Sequence, residues 1–187
     1  MPGHSPHEAE KNYLDPLQRA VSCLKGTAKI IHTKKTYHLH DQGSWMLNGP
    51  TGMELPKFGT FFAQQRYELV ECDPERFDYS LGRFRVSTRM YTYKLVANEG
   101  WEIRWHWHPG GNSPEERPHI HPSMNLKAHL PTARQTLEEV VEGVIVLGAQ
   151  ARFDDWKDRL AVSDAIHKLH RTWVNDPAEQ ARTEPSA

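Results

Sequence analysis

The clearest pattern in the chain is a two-residue alternation of apolar and polar side chains between residues 101 and 108. Side chains of an extended strand point to alternate faces, so this segment predicts a strand with one apolar and one polar face. The apolar face carries Trp101, Ile103, Trp105 and Trp107. The polar face carries Glu102, Arg104, His106 and His108.

Two longer segments that precede this strand predict further strands of the same sheet. Residues 61–72 end at an Asp-Pro turn signal, and residues 81–95 are joined to the Trp/His strand by Asn98-Glu99-Gly100, a sequence suited to a tight hairpin. Unbroken alternation along 81–95 would place four candidate substrate-binding side chains on the polar face. They are Arg83, Arg85, Tyr91 and Tyr93. Residues 43–59 contain four glycines and two prolines and predict a long surface loop.

Helical periodicity appears at both ends of the chain. Residues 10–24 predict an N-terminal helix, Thr136 with Glu139 forms a capping-box signal, and Asp154-Asp155 precedes a third helical pattern. Strands in the middle with helices at the ends indicate a single α+β domain over residues 9–174, with the helices packed on the apolar face of an antiparallel sheet. Residues 1–8 predict a flexible arm, and residues 175–187 predict a disordered tail.

Composition narrows the classes of function. The chain has 187 residues and a formal net charge of −1, so no overall basic field favours nucleic acid and any polyanion site must be local. No stretch is long and apolar enough to predict a membrane span. Cys23 and Cys72 lie far apart in the sequence, and two thiols without a secretory signal favour a reducing, cytoplasmic environment.

The candidate chemistry lies in the histidines of two neighbouring strands. The segment Pro118-His-Ile-His-Pro122 reads as the return strand, so His119 and His121 would share the polar face with His106 and His108. Imidazoles can serve as general base and general acid, which suits metal-independent cleavage of RNA. In this interpretation Arg83, Arg85 and Arg104 would bind the phosphate of the RNA. Tyr91 or Tyr93 would position the substrate.

Two other interpretations use the same four histidines. Paired His-x-His motifs on adjacent strands can surround one Zn, Ni, Cu or Fe ion, in an enzyme or a structural site. A non-enzymatic module would instead use the His/Arg face to bind a partner. The sequence allows two roles for His129: it could be a fifth residue of the site or a cap of its loop.

Four motifs follow one another along residues 89–145: Tyr91-Thr-Tyr93, the Trp/His strand, Pro118-His-Ile-His-Pro122 and Thr136-Leu-Glu-Glu-Val-Val. In this order they resemble the small TumE-type toxins of bacterial toxin–antitoxin pairs. The segment is also similar to a set of uncharacterised, His-rich actinobacterial proteins. The resemblance to the toxins implies a chain that acts on RNA and has a helix-turn-helix antitoxin as its partner.

Overall fold

The computed structural model describes residues 2–34, 38–72, 80, 82–110 and 115–170, and these form a sheet with helices on one face. The predicted tail, residues 175–187, lies outside the described residues. The elements are α1 (Pro6–Val21), β1 (Ile30–Lys34), β2 (Gln42–Leu47), a 3-10 turn (Gly49–Thr51), β3 (Met53–Leu55), β4 (Gly59–Glu71), β5 (Phe84–Ala97), β6 (Glu102–Trp107), β7 (His119–His121), β8 (Leu130–Pro131), α2 (Leu137–Val146) and α3 (Trp156–His170).

The described strands pair antiparallel throughout, in the spatial order β1-β2-β4-β5-β6-β7-β8, and β3 pairs with one end of β4. The long strands β4 and β5 form the centre. The strands with the histidines, β6 and β7, follow on one side of this centre. Apart from β3, which pairs with β4 and not with β2, strands that follow one another in the sequence are neighbours in the sheet.

The core lies between one face of the sheet and the helices. Helix α1 packs against β4 and β5, and α2 and α3 pack against α1 and each other. The sheet contributes aromatic side chains that include Trp45, Tyr67 and Trp105, all of them buried. The predicted α+β class, with an N-terminal helix and two C-terminal helices on the apolar face, is confirmed. The side chain of Thr136 accepts from Glu139 N at 3.1 Å, and the carboxylate of Glu139 accepts from Thr136 N at 2.8 Å, so the predicted capping box also forms.

A β-bulge in β5 breaks the alternation that the sequence suggests. Met90 pairs with Arg66, but Thr88 already pairs with Tyr67, so Arg89 is an extra residue. The bulge exchanges the two faces: odd positions before it, such as Arg85, and even positions after it share the outer face of the sheet. The expectation that one face carries both the arginines and the tyrosines of β5 is therefore wrong.

Three segment boundaries also differ from expectation. Helix α1 begins at Pro6, because Ser5 caps it by accepting from Glu8 N at 3.2 Å. Gly3 exchanges two backbone hydrogen bonds with Phe84, so much of the predicted arm is attached to the sheet. The predicted loop at 43–59 instead contains most of β2 and all of β3, and it buries Trp45 completely. Among the described helices, none combines the length and the apolarity that crossing a membrane requires.

Candidate metal centre

The strand register of the sheet brings the histidines together on its outer face, opposite the helices. Directly paired residues of an antiparallel sheet present their side chains on the same face. Two rows of paired residues therefore run across the strands. The first row is Met46, Gln64, Thr92, His106 and His119. The second row is Phe62, Lys94, Arg104 and His121.

The rings of the histidines are in close mutual contact. The ring centroids of His106 and His121 are 4.7 Å apart, and those of His119 and His121 are 4.9 Å apart. His108, just past the end of β6, places its ring 5.7 Å from that of His106 and 5.5 Å from that of His119. The structure thus brings together all four histidines that the sequence singled out.

His129 is a fifth member of the cluster. It precedes β8, which pairs with β7, and its ring centroid lies 4.7 Å from that of His119 and 4.5 Å from that of His121. The structure therefore places His129 in the site. The sequence could not decide this, because a loop of unknown course separates His129 from the strands.

Three of these residues have the spacing of metal ligands. One ring nitrogen from each of His106, His119 and His121 lies within 4.8 Å of the other two. A tetrahedral ion with bonds of about 2.1 Å would hold its ligands about 3.4 Å apart. To bind one such ion, the three nitrogens would have to draw closer by at most about 1.4 Å.

Backbone carbonyls fix the orientation of two of the rings. Nδ1 of His119 donates to the carbonyl oxygen of Arg117 at 2.8 Å, and Nδ1 of His121 donates to that of Leu126 at 2.9 Å. A carbonyl can only accept, so the proton of each neutral ring is on Nδ1 and the lone pair is on Nε2. Metal-binding histidines usually donate their other ring nitrogen in this way.

The Nε2 atom of His119 is a buried polar atom whose hydrogen bonding is not satisfied by the described residues. His119 is only 1 % exposed, and within the described part of the chain its Nε2 has no hydrogen-bond partner. A buried lone pair without a donor costs free energy and calls for an explanation. A bound cation would satisfy it.

The electrostatics of the cluster favour neutral rings. Burial, followed by the proximity of His121 and His119, lowers the pKa of His106 to about 3. Burial also lowers the pKa values of His119 and His121, against the opposing effect of their hydrogen bonds to carbonyls. Metal binding needs deprotonated imidazole, so these rings are in the form that binds metal at neutral pH.

Only one of the five predicted substrate-binding residues joins the cluster. Arg104 lies beside His121 in the second row and binds the carboxylate of Glu102 through Nε at 2.6 Å. Tyr91 and Tyr93 lie on the opposite, core face, where their rings stack with centroids 4.8 Å apart. They pair with Trp107 and Trp105, whose apolar face the sequence identified correctly.

The other two arginines lie toward the far end of β5. Arg85 pairs with Val70, six residues along β4 from the row that contains His106, which corresponds to roughly 20 Å. Arg83 is farther still and forms an ion pair with Glu71, with Nε 2.7 Å from the carboxylate. The structure therefore does not assemble the predicted phosphate-binding set around the histidines.

A cavity of about 400 Å³ adjoins the cluster on the outer face. His106 belongs both to the histidine group and to the wall of this cavity. Lys94 and Arg104 also line it, together with the apolar side chains of Met46 and Phe62. Lys94 was not among the predicted site residues, because unbroken alternation along β5 places it on the core face and only the bulge brings it to the outer face.

This arrangement can hold a transition-metal ion between three imidazoles and present it to a cavity. Imidazole donors suit Zn, Cu, Fe and Ni. We found no match to this chain among protein-family models, curated proteins or solved structures.

Proposed function

We propose that this protein is a transition-metal protein whose ion is bound by His106, His119 and His121, at a site that opens to a cavity. Two observations carry the proposal: the Nε2 of His119 is buried and unpartnered among the described residues, and one ring nitrogen from each of His106, His119 and His121 lies within 4.8 Å of the other two. The backbone hydrogen bonds of His119 and His121 hold both rings in the metal-binding tautomer.

The position of the site favours a catalytic centre over a closed structural one. Structural zinc sites use four protein ligands, whereas catalytic sites use three and leave one position for water or substrate. His106 lines the cavity, so an ion bound to it would be accessible from there. Such an ion would act as a Lewis acid and would lower the pKa of a bound water.

Metal-independent cleavage of RNA is a second proposal for the same histidines, and the geometry supports it less. That mechanism needs one imidazole that is protonated at neutral pH to act as general acid. Three rings of the cluster have lowered pKa values, so the proton is disfavoured there. The TumE-type resemblance and the antitoxin partner likewise stay predictions.

The experiment is a zinc titration of untagged protein that has first been stripped with EDTA. We expect one equivalent to bind, and a free zinc concentration of 100 times Kd to stabilise the fold by about 2.7 kcal/mol. For a domain of this size that raises Tm by roughly 5–10 °C. The variants His119→Gln and His121→Gln should lose this rise, and His7→Gln, which changes an exposed histidine of α1, should keep it.

An RNA-cleavage assay in excess EDTA separates the two proposals. Two results together support the metal centre. The stripped protein does not cleave RNA in EDTA, and in the separate titration it binds one equivalent of zinc. Cleavage that persists in EDTA and is lost in the double variant His119→Gln/His121→Gln would overturn the metal proposal in favour of acid–base chemistry. Equal zinc binding by wild type and both single variants would also overturn it.

A further inference from the structure

Among the described residues, the lining of the cavity beside the histidines contains two cations and no carboxylate. Its charged lining residues, Lys94 and Arg104, pair directly across β5 and β6, so their side chains extend from neighbouring strands on the same face. Arg104 is partly neutralised by Glu102, which lies outside the lining. In the described part of the chain no carboxylate lies within ion-pair distance of Lys94. The cavity therefore has a net positive charge.

The rest of the lining combines the ligand His106 and the polar Gln64 and Thr92 with apolar residues, of which Phe62 and Met46 lie on β4 and β2, away from the strands that carry the histidines. Phe62 pairs with Lys94, and the Nζ atom of Lys94 lies 4.3 Å from the centroid of the Phe62 ring. Met46 lies farther out, on β2. Along the second row the order is apolar ring, lysine, arginine and metal ligand, with strands about 4.8 Å apart.

We infer that the cavity binds a small organic carboxylate. Its charged group would lie beside Lys94 and Arg104, close to the metal centre, and its apolar body would lie beside Met46 and Phe62, one face of whose ring Lys94 covers. This inference rests on the proposed function for the role of the ion, but the cations and the apolar wall exist without it. A volume of about 400 Å³ suits a molecule of the size of an aromatic acid. The apolar wall favours such an acid over inorganic phosphate or a nucleotide.

The test is binding of benzoate, measured by calorimetry on both metal-free and zinc-loaded protein. We expect benzoate to bind both forms, and benzyl alcohol, which has the same ring without the charge, to bind at least tenfold more weakly. Lys94→Met should weaken benzoate binding at least tenfold. Lys94→Arg should retain it, and Lys25→Met, a change at an exposed lysine outside the cavity, should leave it unchanged.

Several outcomes would overturn the inference. One is equal affinity for benzoate and benzyl alcohol, and another is unchanged affinity for benzoate in Lys94→Met. Tighter binding of uridine 3′-monophosphate or inorganic phosphate than of benzoate would assign the cavity to phosphate esters instead. A zinc titration run in parallel separates failure of this inference from failure of the proposed metal centre. If zinc does not bind, the benzoate measurement on metal-free protein still tests the cavity.

Discussion

The metal-free protein should lose stability as the pH falls below the ordinary range of histidine. Unfolded histidine has a pKa of about 6.5, whereas the pKa of His106 in the fold is about 3. Between these values the unfolded state binds a proton that the folded state excludes, so the free energy of unfolding falls with pH. The stability is fully present above pH 6.5 and is lost progressively down to about pH 3.

The size of the effect follows from the same two values. For His106 alone, moving from pH 7 to pH 5 removes about 2 kcal/mol of the free energy of unfolding. His119 and His121 add to the loss in the same direction. With an m-value of about 2 kcal/mol/M, the share of His106 corresponds to a shift of about 1 M in the urea midpoint.

The assay is urea unfolding in EDTA at pH 7, 6 and 5, followed by tryptophan fluorescence. Wild type and His7→Gln should lose the same amount, because His7 is exposed on α1. His106→Gln should lose about 2 kcal/mol less between pH 7 and pH 5. Parallel pH profiles for wild type and His106→Gln would show that burial does not exclude the proton from this ring.

Two further predictions concern the helices that support the sheet. Glu138 and His167, each 2 % exposed, are hydrogen-bonded to each other between α2 and α3, and Glu138 also accepts from Ser163 Oγ at 2.8 Å. Glu138→Gln should therefore cost about 2 kcal/mol or more in urea unfolding, whereas Glu142→Gln on the exposed side of α2 should cost under about 0.5 kcal/mol. Equal costs for the two would contradict the buried pair. Thr136→Ala removes the cap of α2 and should lower the free energy of unfolding by about 1 kcal/mol, measured in the same way.

The pattern of side chains along the sequence predicts those parts of the fold that depend on residues close together in the chain. The alternation of residues 101–108 correctly assigns the tryptophans to the core, because a strand buried on one face must alternate. The capping box of α2 forms because Thr136 and Glu139 satisfy each other's backbone donors within one turn. The convergence of His106 with His119 follows from a hairpin in which they pair directly.

Features that depend on distant segments could not be predicted in the same way. The bulge at Arg89 exchanges the two faces of β5. Arg89 is itself the inserted residue, and its Nη2 lies 2.8 Å from the carboxylate of Glu68 on β4. Trp45 looks like a loop residue among glycines and prolines, and only its pairing with Gln65 of β4 places it in the core. His129 joins the cluster through the pairing of β8 with β7.

The proposed metal centre requires that the imidazoles of His106, His119 and His121 bind one ion. X-ray absorption at the zinc edge of protein loaded with one equivalent of zinc counts these ligands. We predict a first shell that contains three imidazole nitrogens at about 2.0–2.1 Å, reduced to two in His121→Gln. A shell made mainly of oxygen, or one with the same imidazole count in wild type and His121→Gln, would contradict it.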